Sequence, residues 1–196
     1  MSERLGLTPS QTVGPYLGIG LDWGDEGRLA VPVGTPGAFW ITGQVIDGDG
    51  VPMRDASVET WQADPDGRFN TPEDPRGAAP SAIPGFTGFA RSDTFNDDLA
   101  WRVHTVRPGA LPAADVDATD GPLEAPHLDV TVLGRGMLDR CVTRIYFPDE
   151  PLNDTDPVLQ SVPAERRDTL IARRDGDGYR FDIRVQGEGE TVFFAL

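Results

Sequence analysis

The stretch GYRFDIRVQG, residues 178–187, alternates without a break: Tyr179, Phe181, Ile183 and Val185 fall on one side, Arg180, Asp182, Arg184 and Gln186 on the other. Successive side chains of an extended chain point to opposite faces, so the pattern specifies a strand with one buried face. Six further segments of this kind are AFWITGQVID, ASVETWQA, GFARSDTF, LAWRVHTV, HLDVTVLG and DRCVTRIYF, and ETVFFAL closes the chain. A chain built mainly from such units is confined to sheet architectures. Asp49-Gly50 and Pro52 form a turn signal between the first two of the six, which predicts an antiparallel pair of residues 38–47 with 56–63. Gly and Pro, 23 and 18 in number, are scattered rather than clustered, as many turns between short strands require. PAERRDTLIARR, with Leu170 and Ile171 among charges after Pro163, predicts one short helix on the outside of the sheets. The expectation is an all-β protein: a β-sandwich of about eight strands with a long N-terminal arm, long loops and one short helix. Residues 1–36 form the arm, expected against a partner subunit, and residues 37–196 the sandwich; Asp64–Pro84 is the longest loop.

The formal charge, 17 basic residues against 32 acidic, is −15, and every basic residue is an arginine. Such a surface repels phosphate backbones and anionic lipid, so nucleic acid and membrane are excluded as partners. An anionic small molecule needs a local patch of arginines. A lone Cys141 forms no internal bridge, MSERLGLTPS lacks the apolar run of a secretory signal, and no stretch has the roughly 20 apolar residues that span a bilayer. A reducing cytoplasm is the expected compartment.

Few residues carry chemistry. His127 and Asp129 share one face of their strand, and His104 would complete a facial triad of two imidazoles and a carboxylate. The competing reading is a strand with one partly buried histidine and one solvated aspartate. Known His-x-Asp oxygenases place the second histidine downstream, whereas His104 lies upstream and is the only other histidine. Cys141 in the apolar run CVTRIYF reads as a buried, inert thiol. There is no Gly-x-Ser-x-Gly elbow, and GIGLDWGDEG lacks the spacing and the Lys-Ser or Lys-Thr of a phosphate loop. DPDGRFN lacks the closing glutamate of a calcium loop.

The order of segments says more than any one of them. SQTVGPY, ITGQVIDGDGVPMRDASVETWQADPDGRF, GFTGFARSDTF, VRPGALP, APHLDVTVLGRG, VTRIYFPDEP and GYRFDIRVQGEGETVFF follow one another as in the intradiol ring-cleaving dioxygenases, and the resemblance covers nearly the whole chain. That family holds a non-haem Fe(III) in a β-sandwich with two tyrosines and a His-x-His strand. Carried over by resemblance, the first histidine falls on His127 and the second on Asp129. The tyrosine after Pro108-Gly109 falls on Leu111, and the other falls in the tyrosine-free loop Gly77-Ala78-Ala79. Tyr16, Tyr146 and Tyr179 lie in other segments. The resemblance therefore implies a non-catalytic α-type subunit that binds no metal. A homologous β subunit holds the Fe(III), in α–β protomers of a larger oligomer, and the substrates are a small aromatic, protocatechuate, and O2. It also implies that Thr12, Gly14, Pro15 and Tyr16 of the arm line the partner's substrate pocket. The alternatives left open are a prealbumin-like binding module without enzymatic role, and a catalytic chain using His104, His127 and Asp129.

Overall fold

The computed structural model describes residues 9, 11–21, 23–74, 76–113 and 121–195. In chain order the strands are β1 (Phe39–Ile46), β2 (Ala56–Trp61), β3 (Phe89–Asp93), β4 (Ala100–Thr105), β5 (Leu111–Pro112), β6 (Leu123–Glu124), β7 (His127–Gly134), β8 (Cys141–Tyr146), β9 (Arg173–Asp175), β10 (Gly178–Arg180) and β11 (Ile183–Arg184). β1 is the spine of one sheet. β4 pairs antiparallel along one of its edges, β10 and β11 run parallel along the other, and β9 closes the outside of β10. The second sheet is antiparallel, in the order β3-β2-β7-β8, and β5 and β6 form a separate small pair.

The two larger sheets bury one face each against the other. Ile41, Val45, Trp101, Val103, Phe181 and Ile183 from the first meet Val58, Ala90, Leu128, Val130, Val132 and Ile145 from the second in one apolar cluster. Removal of this surface from water drives the fold. A second cluster, Ala125, Tyr146, Leu159, Val162 and Leu170, lies where residues 151–170 cover one end of the antiparallel sheet.

Several expectations are corrected. The residues described form eleven strands in three sheets. Helical structure comprises α1 (Leu17–Gly20), α2 (Gly24–Gly27), α3 (Pro157–Ser161) and the 3-10 segments Pro151–Asp154 and Ala164–Leu170, not one short helix. The expected helix in PAERRDTLIARR is the second 3-10 segment, and Arg173 already begins β9. Its apolar residues, Leu170 and Ile171, are adjacent, so no stripe at i, i+3, i+4 rewards α-helical winding. Residues 38–47 and 56–63 do not pair: β1 and β2 lie in different sheets. The turn between them is real, since Asp47 Oδ1 accepts from Asp49 N at 3.0 Å and Val51 N at 2.8 Å and Gly50 adopts φ +80°. It passes the chain from one layer to the other, so both strands bury their apolar faces in the same core.

GYRFDIRVQG keeps its alternation, with Tyr179, Phe181 and Ile183 buried. It forms two strands rather than one because Asp182 Oδ1 takes the Gln44 N–H at 3.0 Å, replacing a ladder bond. There Gly43 lets the backbones meet, for a Cβ on it would lie 1.7 Å from Phe181 O.

Candidate functional site

His127 and Asp129 do share a face of β7, the outer face of the antiparallel sheet. Register places Phe89, Trp61, Asp129 and Arg144 in one cross-strand row, with His127 beside Tyr146 in the next. Leu111 pairs with Glu124, which stands three residues before His127. The structure therefore gathers Leu111, His127 and Asp129 around one place, together with Glu124, Arg144 and Tyr146. His104 is not part of it. It lies on β4 in the other sheet, where its Nδ1 donates to Val31 O at 3.1 Å and its ring packs on Trp40.

The cluster is held by charge. Arg144 Nη1 donates to Glu124 Oε2 at 2.6 Å and Arg144 Nε to Asp129 Oδ1 at 3.0 Å. His127 is buried, its Nδ1 donates to Ala125 O at 2.6 Å, and its Nε2 lies 3.7 Å from Glu124 Oε2 and 3.8 Å from Asp129 Oδ1. Burial, and then the neighbouring Arg144 charge, push the imidazole below its usual pKa. Burial alone would lower Arg144 too, but Asp129, Tyr146 and Glu124 outweigh it and raise it. Burial pushes the Tyr146 phenol up, and its hydroxyl is bound by Asp156 Oδ1 at 3.2 Å. Tyr146 is a neutral strut here.

Ferric iron asks for hard anionic oxygen donors beside imidazole. This cluster offers one imidazole, two carboxylate groups already bound by a guanidinium, and an alkyl chain at Leu111. These residues do not fit the ferric centre that the family resemblance implies. Among the described residues no group of three or more His, Cys, Asp or Glu is placed to hold a metal ion. The Gly77-Ala78-Ala79 loop runs beside a cleft of about 500 Å3 lined by Trp61, Phe69 and Ala79, and its Gly77 carbonyl is held by Arg68.

The arm packs on the same outer face, toward the beginning of β2 and along β3. Thr12 Oγ1 accepts from Gly136 N at 2.9 Å, Gly14 takes φ +71°, and Leu17 is buried beside Asp55, Ser57 and Phe95. Tyr16 and Ile19 point outward, 74% and 76% exposed. Arg135, next to Gly136, is 61% exposed and paired with Asp55 at 2.8 Å. Residues 28–31 leave the surface, with Ala30 and Val31 buried beside β4. Met1–Thr8, Ser10 and Asp22 of the expected arm lie outside the described residues.

Sequence reasoning missed Glu124, Arg144 and Tyr146 as a group. The available signal was parity: Arg144 and Tyr146 are charged and phenolic residues on the same face of CVTRIYF, a segment read only for its apolar content.

A sandwich with such a cluster on its outer face defines a class. A model of the dioxygenase family matches residues 25–187, and the chain belongs to the intradiol ring-cleavage dioxygenases. It is 45% identical to the protocatechuate 3,4-dioxygenase alpha chain of Burkholderia cepacia, over 95% of this chain and 96% of that one. It is also 35% identical to the beta chain from the same organism, over 77% of this chain and 65% of that one. In fold it is similar to an intradiol ring-cleavage dioxygenase from Tetranychus urticae, with TM-score 0.55 and 17% identity, over 91% and 93% of the two chains.

Proposed function

We propose that this chain is the non-catalytic α-type subunit of an αβ intradiol dioxygenase that opens protocatechuate to 3-carboxy-cis,cis-muconate with O2. The observation that carries the reading is the Arg144 guanidinium, bonded to both carboxylates beside His127. A chain so arranged cannot grip ferric iron, so the reaction needs a homologous β subunit that does. Similarity to both alpha and beta chains of one enzyme supports two related subunits. The Fe(III) of the partner would supply a Lewis acid and template for the catecholate.

This chain's own contribution is the arm. Thr12, Gly14, Pro15 and Tyr16 line the mouth of the partner's pocket, and the flanking guanidinium of Arg135 supplies the positive charge that a carboxylated substrate needs against a net −15 surface. Exposed Tyr16 and Ile19 cover part of the subunit contact. No helix of the described residues is long and apolar enough to cross a membrane, and the unpaired Cys141 suits a cytoplasmic enzyme.

Coexpression with a homologous β chain tests the reading. The two chains should copurify with iron and cleave protocatechuate, and the isolated chain should do neither. A stoichiometric ferric ion and turnover in the isolated chain would refute it.

A further inference from the structure

The first sheet has a seam. β10 and β11 both lie along β1, but their outer neighbours differ: Arg180 pairs with Arg173 of β9, whereas Arg184 O accepts from Thr191 N at 2.9 Å and Arg184 N donates to Thr191 Oγ1 at 3.0 Å. Asp182 stands between these two neighbours with no strand on its outer side. Phe181 N donates to Thr42 O on β1 at 2.8 Å, and Val185 N to Ile46 O at 2.9 Å. Main-chain groups of an extended segment turn to alternate sides, so the Asp182 N–H points away from β1, as those of Arg180 and Arg184 do. Among the described residues nothing accepts it. The gap it faces opens into a cleft of about 330 Å3, with Ile46, Ile171 and the arginines Arg173, Arg180 and Arg184 in its wall. That is the size of a small-molecule pocket.

Charge decides what fits. Arg180 is occupied by Asp182, with Nη2 2.8 Å from Oδ1 and Nε donating to Oδ2 at 3.0 Å, and Asp182 also binds Gln44 N. Arg173 and Arg184 differ: among the described residues neither guanidinium has a carboxylate, carbonyl or ring as partner. Asp168, the remaining carboxylate of the wall, is exposed and screened by water. Two unmatched guanidiniums and an open N–H therefore line one cleft of a chain whose net charge is −15. Ile46 and Ile171, each partly buried, add apolar wall. We propose that this seam is a binding site for a small organic carboxylate with an apolar body. The carboxylate oxygens take the planar forks of Arg173 and Arg184 and the Asp182 N–H, and the body lies on the two isoleucines. The site shares no residue with the His127 cluster and calls on neither a partner subunit nor a metal, so it stands whatever the enzyme's substrate is.

The test titrates the full chain, without a β chain, with benzoate, followed by calorimetry and by the amide resonance of Asp182. One equivalent of benzoate should bind saturably and shift that resonance. Acetate, the charge without the ring, and benzamide, the ring without the charge, should each bind at least about tenfold more weakly. Arg173→Gln and Arg184→Gln should each weaken benzoate about tenfold or more, the loss of a charge-assisted pair, with melting temperatures near wild type. Arg140→Gln, which removes an exposed arginine outside the cleft wall, should change nothing. Absence of saturable binding, equal binding of benzamide, or wild-type affinity in Arg184→Gln overturns the proposal, and so does binding that leaves the Asp182 resonance unmoved.

Discussion

Asp156 joins the helical cover to the cluster, and its removal is the perturbation whose cost follows most directly from the bonds it makes. The side chain is fully buried. Oδ1 caps α3 by accepting from Leu159 N at 2.7 Å and binds the Tyr146 hydroxyl, while Oδ2 accepts from Ala125 N at 2.6 Å. Asp156→Ala removes an N-cap, costing about 1 kcal/mol. It also strands the buried Ala125 N–H, costing about 1–3 kcal/mol, and frees the Tyr146 hydroxyl at about 1 kcal/mol. The sum is roughly 3–5 kcal/mol, a large part of the roughly 5–15 kcal/mol that holds a domain together. Asp156→Asn keeps one acceptor oxygen and should lose about half as much. Urea unfolding reads the loss as a lower midpoint at unchanged slope. Hydrogen exchange should show faster opening at Ala125, whose carbonyl orients His127. An Asp156→Ala chain within about 1 kcal/mol of wild type would refute the argument that this carboxylate is irreplaceable.

Three further outcomes are expected. Gly43→Ala puts a methyl 1.7 Å from Phe181 O and 2.6 Å from Phe181 C, both backbone atoms, so β1 cannot stay paired with β10 and β11; the loss should exceed about 4 kcal/mol, and a soluble chain melting like wild type contradicts this. Asp74, buried with its carboxyl drawn down to about 2 by the Arg76 bonds that outweigh burial, also binds Phe69 N and Arg76 N. Its share of stability is complete above pH 3.8 and disappears as pH falls through about 2. Asp74→Asn should cost no more than about 2.5 kcal/mol and speed tryptic cleavage at Arg68 and Arg76, and unchanged cleavage would count against it. His127, held below its ordinary 6.5 by burial and then Arg144, takes up its proton later than the unfolded chain does. Stability from the neutral ring is therefore full above pH 6.5 and declines below it, by up to about 1.4 kcal/mol per pH unit. Urea midpoints taken between roughly pH 8 and roughly pH 5 should fall for wild type and flatten for His127→Asn; equal slopes would refute the assignment.

The strands were legible because alternation is a local property. Phe39–Ile46, His127–Gly134 and Cys141–Tyr146 lie within segments that the sequence marked as candidate strands. Pairing was not legible: β1 and β2 are joined by a tight turn, yet each finds its neighbours elsewhere, because burying two apolar faces against each other outweighs the ladder between adjacent segments. Nor were the short helices, whose four or five residues carry too little pattern. At the site, the resemblance placed His127, Asp129 and Leu111, and the register of β5 with β6 and of β7 with β8 brings them together. Arg144 escaped because its meaning is a distance across strands, not a spacing along the chain.

β1 must wait for its parallel neighbours. The Gln44–Asp182 bond spans 138 positions, so the first layer cannot close until nearly the whole polypeptide has left the ribosome. Residues 56–146 supply the other layer in full, and with the β1–β4 pair it can form early, leaving bare only the part of its inner surface that Tyr179, Phe181 and Ile183 later cover. Distant contacts of this sort slow closure. During that interval the exposed surface is the molecule's window for misassembly.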